Sequence, residues 1–201
     1  MNTRFKILMV VGIALILPAV AFADVAISGS INVIGSQASP SWGITGGPNS
    51  PQAAGYATIS HPTGRIADMD LENAINMSVF TINVYTIYFK TTGTFYLNAT
   101  YTHGYPAQAR MYFSTSLMTL NDFSGESATS LATSAPTPSS DSGILSLNLS
   151  NDIFTSDTGS TVPTPTFTIS STSTVIYIGF YLPAGAVAGA EVTFNGNFVL
   201  S

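Results

Sequence analysis

Val79-Phe-Thr-Ile-Asn-Val-Tyr-Thr-Ile-Tyr-Phe89 carries neither Gly nor Pro and puts apolar residues on both faces of an extended chain. Phe80, Ile82, Val84 and Tyr88 fall on one side; Val79, Tyr85, Ile87 and Phe89 fall on the other. Both faces of such a strand must be covered, so the spacing predicts a strand at the centre of a sandwich. Lys90-Thr-Thr-Gly93 then supplies a turn, after which Phe95, Leu97, Ala99 and Tyr101 alternate with Tyr96, Asn98, Thr100 and Thr102. Composition and spacing read as a hairpin.

The same period of two recurs outward from this centre. Met111 to Leu117 reads as a weaker strand, and Leu145, Leu147 and Leu149 alternate with Ser146, Asn148 and Ser150. Thr174 to Leu182 is again apolar on both faces, and Val192, Phe194, Gly196, Phe198 and Leu200 alternate with Thr193, Asn195 and Asn197. Ser/Thr/Pro-rich loops separate these runs. The most helix-like stretch, Ile66 to Met77, would make a turn or two at most. The expected fold is all-β, a two-sheet β-sandwich of jelly-roll or immunoglobulin-like type.

The chain has 201 residues, 45% hydrophobic and 7% charged, with no cysteine and a formal net charge of −5. That apolar content supports one folded domain and excludes a disordered chain. Ser (25) and Thr (25) supply the polarity that charged side chains usually supply. With five Lys+Arg in all, there is no basic stripe to neutralise phosphates, which argues against nucleic-acid binding.

At the N-terminus, Arg4 and Lys6 precede an apolar run from Ile7 to Val20 and the small-x-small exit Ala21-Phe-Ala23. This pattern describes a secretory signal peptide, residues 1–23, cleaved after Ala23. The run is shorter than the roughly 20 residues a bilayer span needs and is broken by Pro18, so no stable membrane insertion is expected after processing. The expected location is the cell surface or beyond.

Asp24-Val-Ala-Ile-Ser-Gly-Ser-Ile-Asn-Val-Ile34 follows, with Val25, Ile27, Ile31 and Val33 on one face and Ser28, Ser30 and Asn32 on the other. Residues 35–56, rich in Gly, Pro and Ser, read as an extended linker contributing little core, which leaves 57–201 as the sandwich domain. The amphipathic segment is thus a strand on a leash. It either closes the domain's own sheet or fills an acceptor groove in the next subunit. Burying its four branched aliphatics at about 1.5–3 kcal/mol each would contribute about 6–12 kcal/mol, enough to offset several kcal/mol of association cost. Donation from head to tail does not close on itself and produces a filament.

The leader, the Ser/Thr-rich β domain, the start Asp24 to Ile34 and the ending Ala190-Glu-Val-Thr-Phe-Asn-Gly-Asn-Phe-Val-Leu-Ser201 together resemble subunits of archaeal extracellular threads and bundling pili. These are similar in turn to bacterial biofilm-matrix fibre proteins of the TasA and camelysin type. The resemblance implies assembly by donor-strand complementation into a homopolymer, with donor residues Val25, Ile27, Ile31 and Val33, serving adhesion or biofilm cohesion. No basic-Gly processing site precedes the apolar run, which departs from type IV pilins. The alternative is a monomeric secreted binding module, carbohydrate- or S-layer-associated, using Trp42 and the Tyr-rich hairpin as a ligand platform.

Three sequons, Asn76-Met-Ser78, Asn98-Ala-Thr100 and Asn148-Leu-Ser150, mark acceptors for N-linked glycans. Asp68, Asp70 and Glu72 share one side of an extended segment and carry oxygens suited to Ca²⁺, but without an EF-hand loop they read as solvated, and no metal or other cofactor is expected. His61 and His103, the only imidazoles, sit near turns with no nucleophile elbow in the chain, so no catalytic residue is assigned and the protein is not expected to be an enzyme. Lys90, beside its turn, reads as a solvated residue.

Overall fold

A computed structural model describes residues 29–32, 42–51, 57–60, 68–71, 78–102, 106–124, 134–184 and 191–200. The described chain is all β apart from one 3₁₀ turn at Leu120–Asp122. Its strands are β1 (Gly29–Asn32), β2 (Trp42–Gly46), β3 (Ala57–Ser60), β4 (Asp68–Leu71), β5 (Val79–Phe89), β6 (Gly93–Thr102) and β7 (Arg110–Ser114). They continue with β8 (Phe123–Ser124), β9 (Thr137–Pro138), β10 (Leu145–Asn148), β11 (Ile153–Thr155), β12 (Thr166–Ile169), β13 (Val175–Leu182) and β14 (Glu191–Leu200).

Two sheets carry the structure. One has six strands in the order β11-β10-β7-β13-β5-β2; the other has four, β1-β14-β6-β12. All neighbours within them pair antiparallel except β1 and β14, which run parallel. The two sheets meet through their inner faces. Trp42 of β2 packs edge-on against Phe95 of β6 at 5.1 Å, and Phe89 of β5 contacts Phe95 at 5.3 Å and stacks on Phe198 of β14 at 5.7 Å. Met111 and Phe113 of β7, Ile176, Ile178 and Phe180 of β13, and Phe167 and Ile169 of β12 complete this core.

A second apolar cluster covers the outer face of the six-stranded sheet. Tyr112 and Tyr181 are buried there with Met118, Phe123 and Ile144, and Phe80 and Ile82 pack against them. Phe80, Tyr112 and Phe123 contact one another edge-on at 5.0 to 5.9 Å. Strands β5 and β13 are apolar on both faces because each face has a cover, as the alternation requires.

Four expectations are corrected. β5 and β6 do not form a hairpin: β5 pairs with β13 and β2, and β6 with β14 and β12. The Lys90–Thr92 link is an arch between sheets, and Phe89 and Phe95 meet across the core. At its exit Gly93 lies so close to β14 that a Cβ would stand 2.3 Å from the Val199 carbonyl oxygen, so no side chain fits there.

The segment 35–56 is not only a leash. It contains β2, which pairs antiparallel with β5 and buries Trp42 and Ile44 in the main core. The helix-like stretch 66–77 contains β4, which forms a two-stranded ladder with β3. Finally, Val84 does not share the Phe80–Ile82 face. Asn83 takes a positive φ of 55°, and Ile82, Asn83 and Val84 stand against Gly179 alone, so the bulge turns Val84 into the main core.

Candidate functional site

The site is the outer edge of β14. On one side β14 pairs with β6 along its whole length, from Glu191↔Thr102 to Leu200↔Gly93. On the other, among the described residues, it meets β1 in the parallel register Gly29↔Val192, Ser30↔Thr193, Ile31↔Phe194 and Asn32↔Asn195. Among the described residues no strand borders the outer edge of Gly196–Leu200. Among the described residues that half of the strand is a sheet edge, the feature by which a sheet accepts another chain. Phe198, on this open half, packs on the core, whereas Val199 is exposed. Alternation places Phe194, and Ile31 level with it, at the same register parity as Phe198.

β1 and β14 come from opposite ends of the chain, so no tight turn ties them. β1 ends at Asn32 and β2, at the far edge of the other sheet, begins at Trp42. The described ladder is four residues long, with no hairpin to fix its register, and β1 also lies beside β4.

Of the donor residues expected from sequence, Ile31 falls in β1, while Val25, Ile27 and Val33 lie outside the described residues, as does the leader 1–23. Asn76, His61, His103 and Glu72 also lie outside them. Asp68 and Asp70 fall on β4. Lys90 is exposed at the arch. Trp42 is 1% exposed and presents no ring face to solvent, and its indole Nε1 has no hydrogen-bond partner among the described residues. That removes Trp42 from a ligand platform.

The sequons part company. Asn98 lies within β6, level with Asn195 of β14 and beyond the Gly93–Tyr96 stretch that β12 borders. Asn148 ends β10, half-buried, where the chain turns: its Oδ1 accepts hydrogen bonds from the backbone N–H of Ser150 (3.0 Å) and the Ser150 hydroxyl (2.8 Å). Beside it in the sheet, Arg110 donates to the carbonyls of Ala107 and Ala109, and burial lowers the pKa of its guanidinium.

One polar device was not read from sequence. The buried Asn83 amide donates to the Met118 carbonyl (2.7 Å) and accepts from the Met118 N–H (3.0 Å), pinning the 115–124 loop over the outer face. The available signal was a lone amide inside a run otherwise apolar on both faces. No protein-family model matches the chain, and no curated protein matches it.

Proposed function

We propose that this is a structural subunit of an extracellular filament that polymerises when residues 24–34 of one copy occupy the β14 edge of the next. The observation that carries the reading is the β1–β14 pairing: parallel, at a sheet edge, made by strands far apart in the chain, and, among the described residues, covering Val192–Asn195 of β14. A lone chain can fill that seam only from within. In a polymer the same contacts form between copies, as in any exchange of an identical element, so the seam serves equally as an acceptor.

The side-chain pattern of the segment fits that edge. In the observed register Gly29 is level with Val192, and Gly196 leaves a gap in the apolar alternation of β14 just beyond the Asn32↔Asn195 pair. The assembly is an all-β sandwich subunit of the immunoglobulin-like or jelly-roll kind, exported by the 1–23 leader and used for adhesion or biofilm cohesion.

The intramolecular position of β1 favours a second reading, a monomeric secreted sandwich that binds carbohydrate or associates with an S-layer. Negative-stain microscopy of the secreted protein separates the two. Extended fibres that vanish when residues 24–34 are deleted support strand donation. Fibres formed by the truncated chain contradict it, and discrete particles from the intact chain favour the monomeric module.

A further inference from the structure

The described sequons occupy different backbone settings. Asn148 closes β10 and opens a turn in which the Asn151 and Asp152 N–H groups both donate to its own carbonyl oxygen, at 3.4 and 3.0 Å. Leu149 between the sequon's ends is buried, and its N–H donates to the Ala109 carbonyl at 3.1 Å, which fixes the turn to the body of the protein. The side-chain oxygen of Asn148 is engaged by both the hydroxyl and the N–H of Ser150. Among the described residues nothing accepts from Asn148 Nδ2. The nitrogen that takes a sugar and the hydroxyl that defines the acceptor are therefore held together at the sheet's end.

Asn98 is set the other way. All three residues of its sequon lie in the ladder with β14, Asn98 level with Asn195, Ala99 with Phe194 and Thr100 with Thr193, while β12 borders β6 only at Gly93–Tyr96. Two residues along an extended strand span about 6.6 Å, so the sequon backbone is stretched rather than turned. Turning it would break its ladder pairing with β14.

We propose that Asn148 is the sequon glycosylated on the already folded chain, and that Asn98 can be modified only before β6 is built into its sheet. The donor is a polyprenyl-diphosphate-linked sugar. Nδ2 attacks the anomeric carbon, forming a C–N bond as the bond from that carbon to the diphosphate oxygen breaks. The polyprenyl diphosphate leaves with the electron pair, and the Nδ2 proton passes to a carboxylate of the transferase. The inference deepens the reading of an exported surface subunit and rests on its export. Asn148 lies on the six-stranded sheet, away from the β14 edge, so a glycan there leaves strand donation free. It also stands level with the exposed Ile153 of β11, near that sheet's outer edge, where a sugar shields an apolar residue and hinders unwanted edge pairing.

The test uses chain recovered from a host without N-glycosylation, treated while folded with a purified oligosaccharyltransferase and a synthetic polyprenyl-diphosphate-linked disaccharide, then read by peptide mass spectrometry. Asn148 should carry the sugar and Asn98 should not, whereas the heat-denatured chain should be modified at both. Ser150→Ala should abolish occupancy of Asn148 and Ser150→Thr keep it, with melting temperatures unchanged. A folded chain bare at Asn148, or modified equally at Asn98, overturns the proposal. Neither outcome touches fibre formation, which is scored separately on the chain lacking residues 24–34.

Discussion

Asn83 combines two costs and one return. A non-glycine residue at positive φ costs on the order of 1–3 kcal/mol, and Asn tolerates the region better than most. In exchange its amide satisfies both backbone groups of Met118 inside the protein. Asn83→Ala strands those groups and should cost about 2–4 kcal/mol, read from the denaturant midpoint. Asn83→Gly, which relieves the backbone but not Met118, should cost less. Equal stability of all three chains would contradict the clamp.

Tyr112 makes a pH-dependent prediction at the same scale. Its hydroxyl donates to the Pro136 carbonyl at 2.7 Å, and burial raises its pKa well above the ordinary tyrosine value. The unfolded chain ionises this phenol near pH 10, while the folded chain holds it neutral. The sign follows: stability is complete below about pH 10 and falls above it, by up to about 1.4 kcal/mol per pH unit for this one group. Tyr112→Phe should lose about 1 kcal/mol at pH 8 but show a shallower decline toward pH 11. A decline of unchanged steepness in the variant would assign it elsewhere.

At the scale of elements, periodicity was a good guide to where strands lie and a poor guide to what they pair with. Val79–Phe89 and Val175–Leu182 announced themselves as strands covered on both faces because a two-sided apolar run has no other use. Whether Lys90–Gly93 turns back within a sheet or arches to the other was not legible: both need a turn followed by alternation, and the choice is made by partners remote in sequence, β13 and β14. β2 was hidden because Gly, Pro and Ser surround a strand of five residues, and its two core side chains, Trp42 and Ile44, are too few for a period to show. The Asn83 bulge was hidden by its neighbours, since a register shift leaves an apolar run apolar.

The arch yields its own test. Gly93→Ala places a Cβ against the Val199 carbonyl and the Phe198 ring, and forcing atoms into a packed contact of this kind costs typically about 1–3 kcal/mol. Because the clash is with β14, the variant should also impair the acceptor edge and reduce fibre yield more than an equally destabilising change at the outer face, such as Asn83→Gly. Matched fibre yields at matched stability would detach the arch from the edge. The amphipathic alternation of Val25, Ile27, Ile31 and Val33 was legible in the sequence. The β14 edge was not, because a sheet edge is a property of topology rather than of any one segment.

For the molecule as a whole, the deciding feature is the small number of ionisable groups. Five Lys+Arg and two His set the ceiling on positive charge in acid, so protonating the carboxylates leaves little self-repulsion to drive unfolding. Among the described hydrogen bonds, Asp122 and Asp157 accept from backbone N–H groups at exposed positions, where water competes for the same donors. The melting temperature should therefore move by only a few degrees between pH 7 and pH 3, and assembled fibres should persist; cooperative unfolding near pH 4 would show that carboxylates carry more of the fold than the hydroxyl-rich composition implies.

The central claim is that β14 takes its edge partner from another molecule. The chain has no cysteine, so a pair introduced at Ser30→Cys and Thr193→Cys, level with each other in the β1–β14 register, reports on that contact alone. After oxidation of the assembled protein and denaturing electrophoresis without reductant, donation between copies predicts a ladder of covalently linked multimers that collapses to monomer on reduction. Quantitative cross-linking within single chains, with no multimer, would mean that each molecule closes its own sheet.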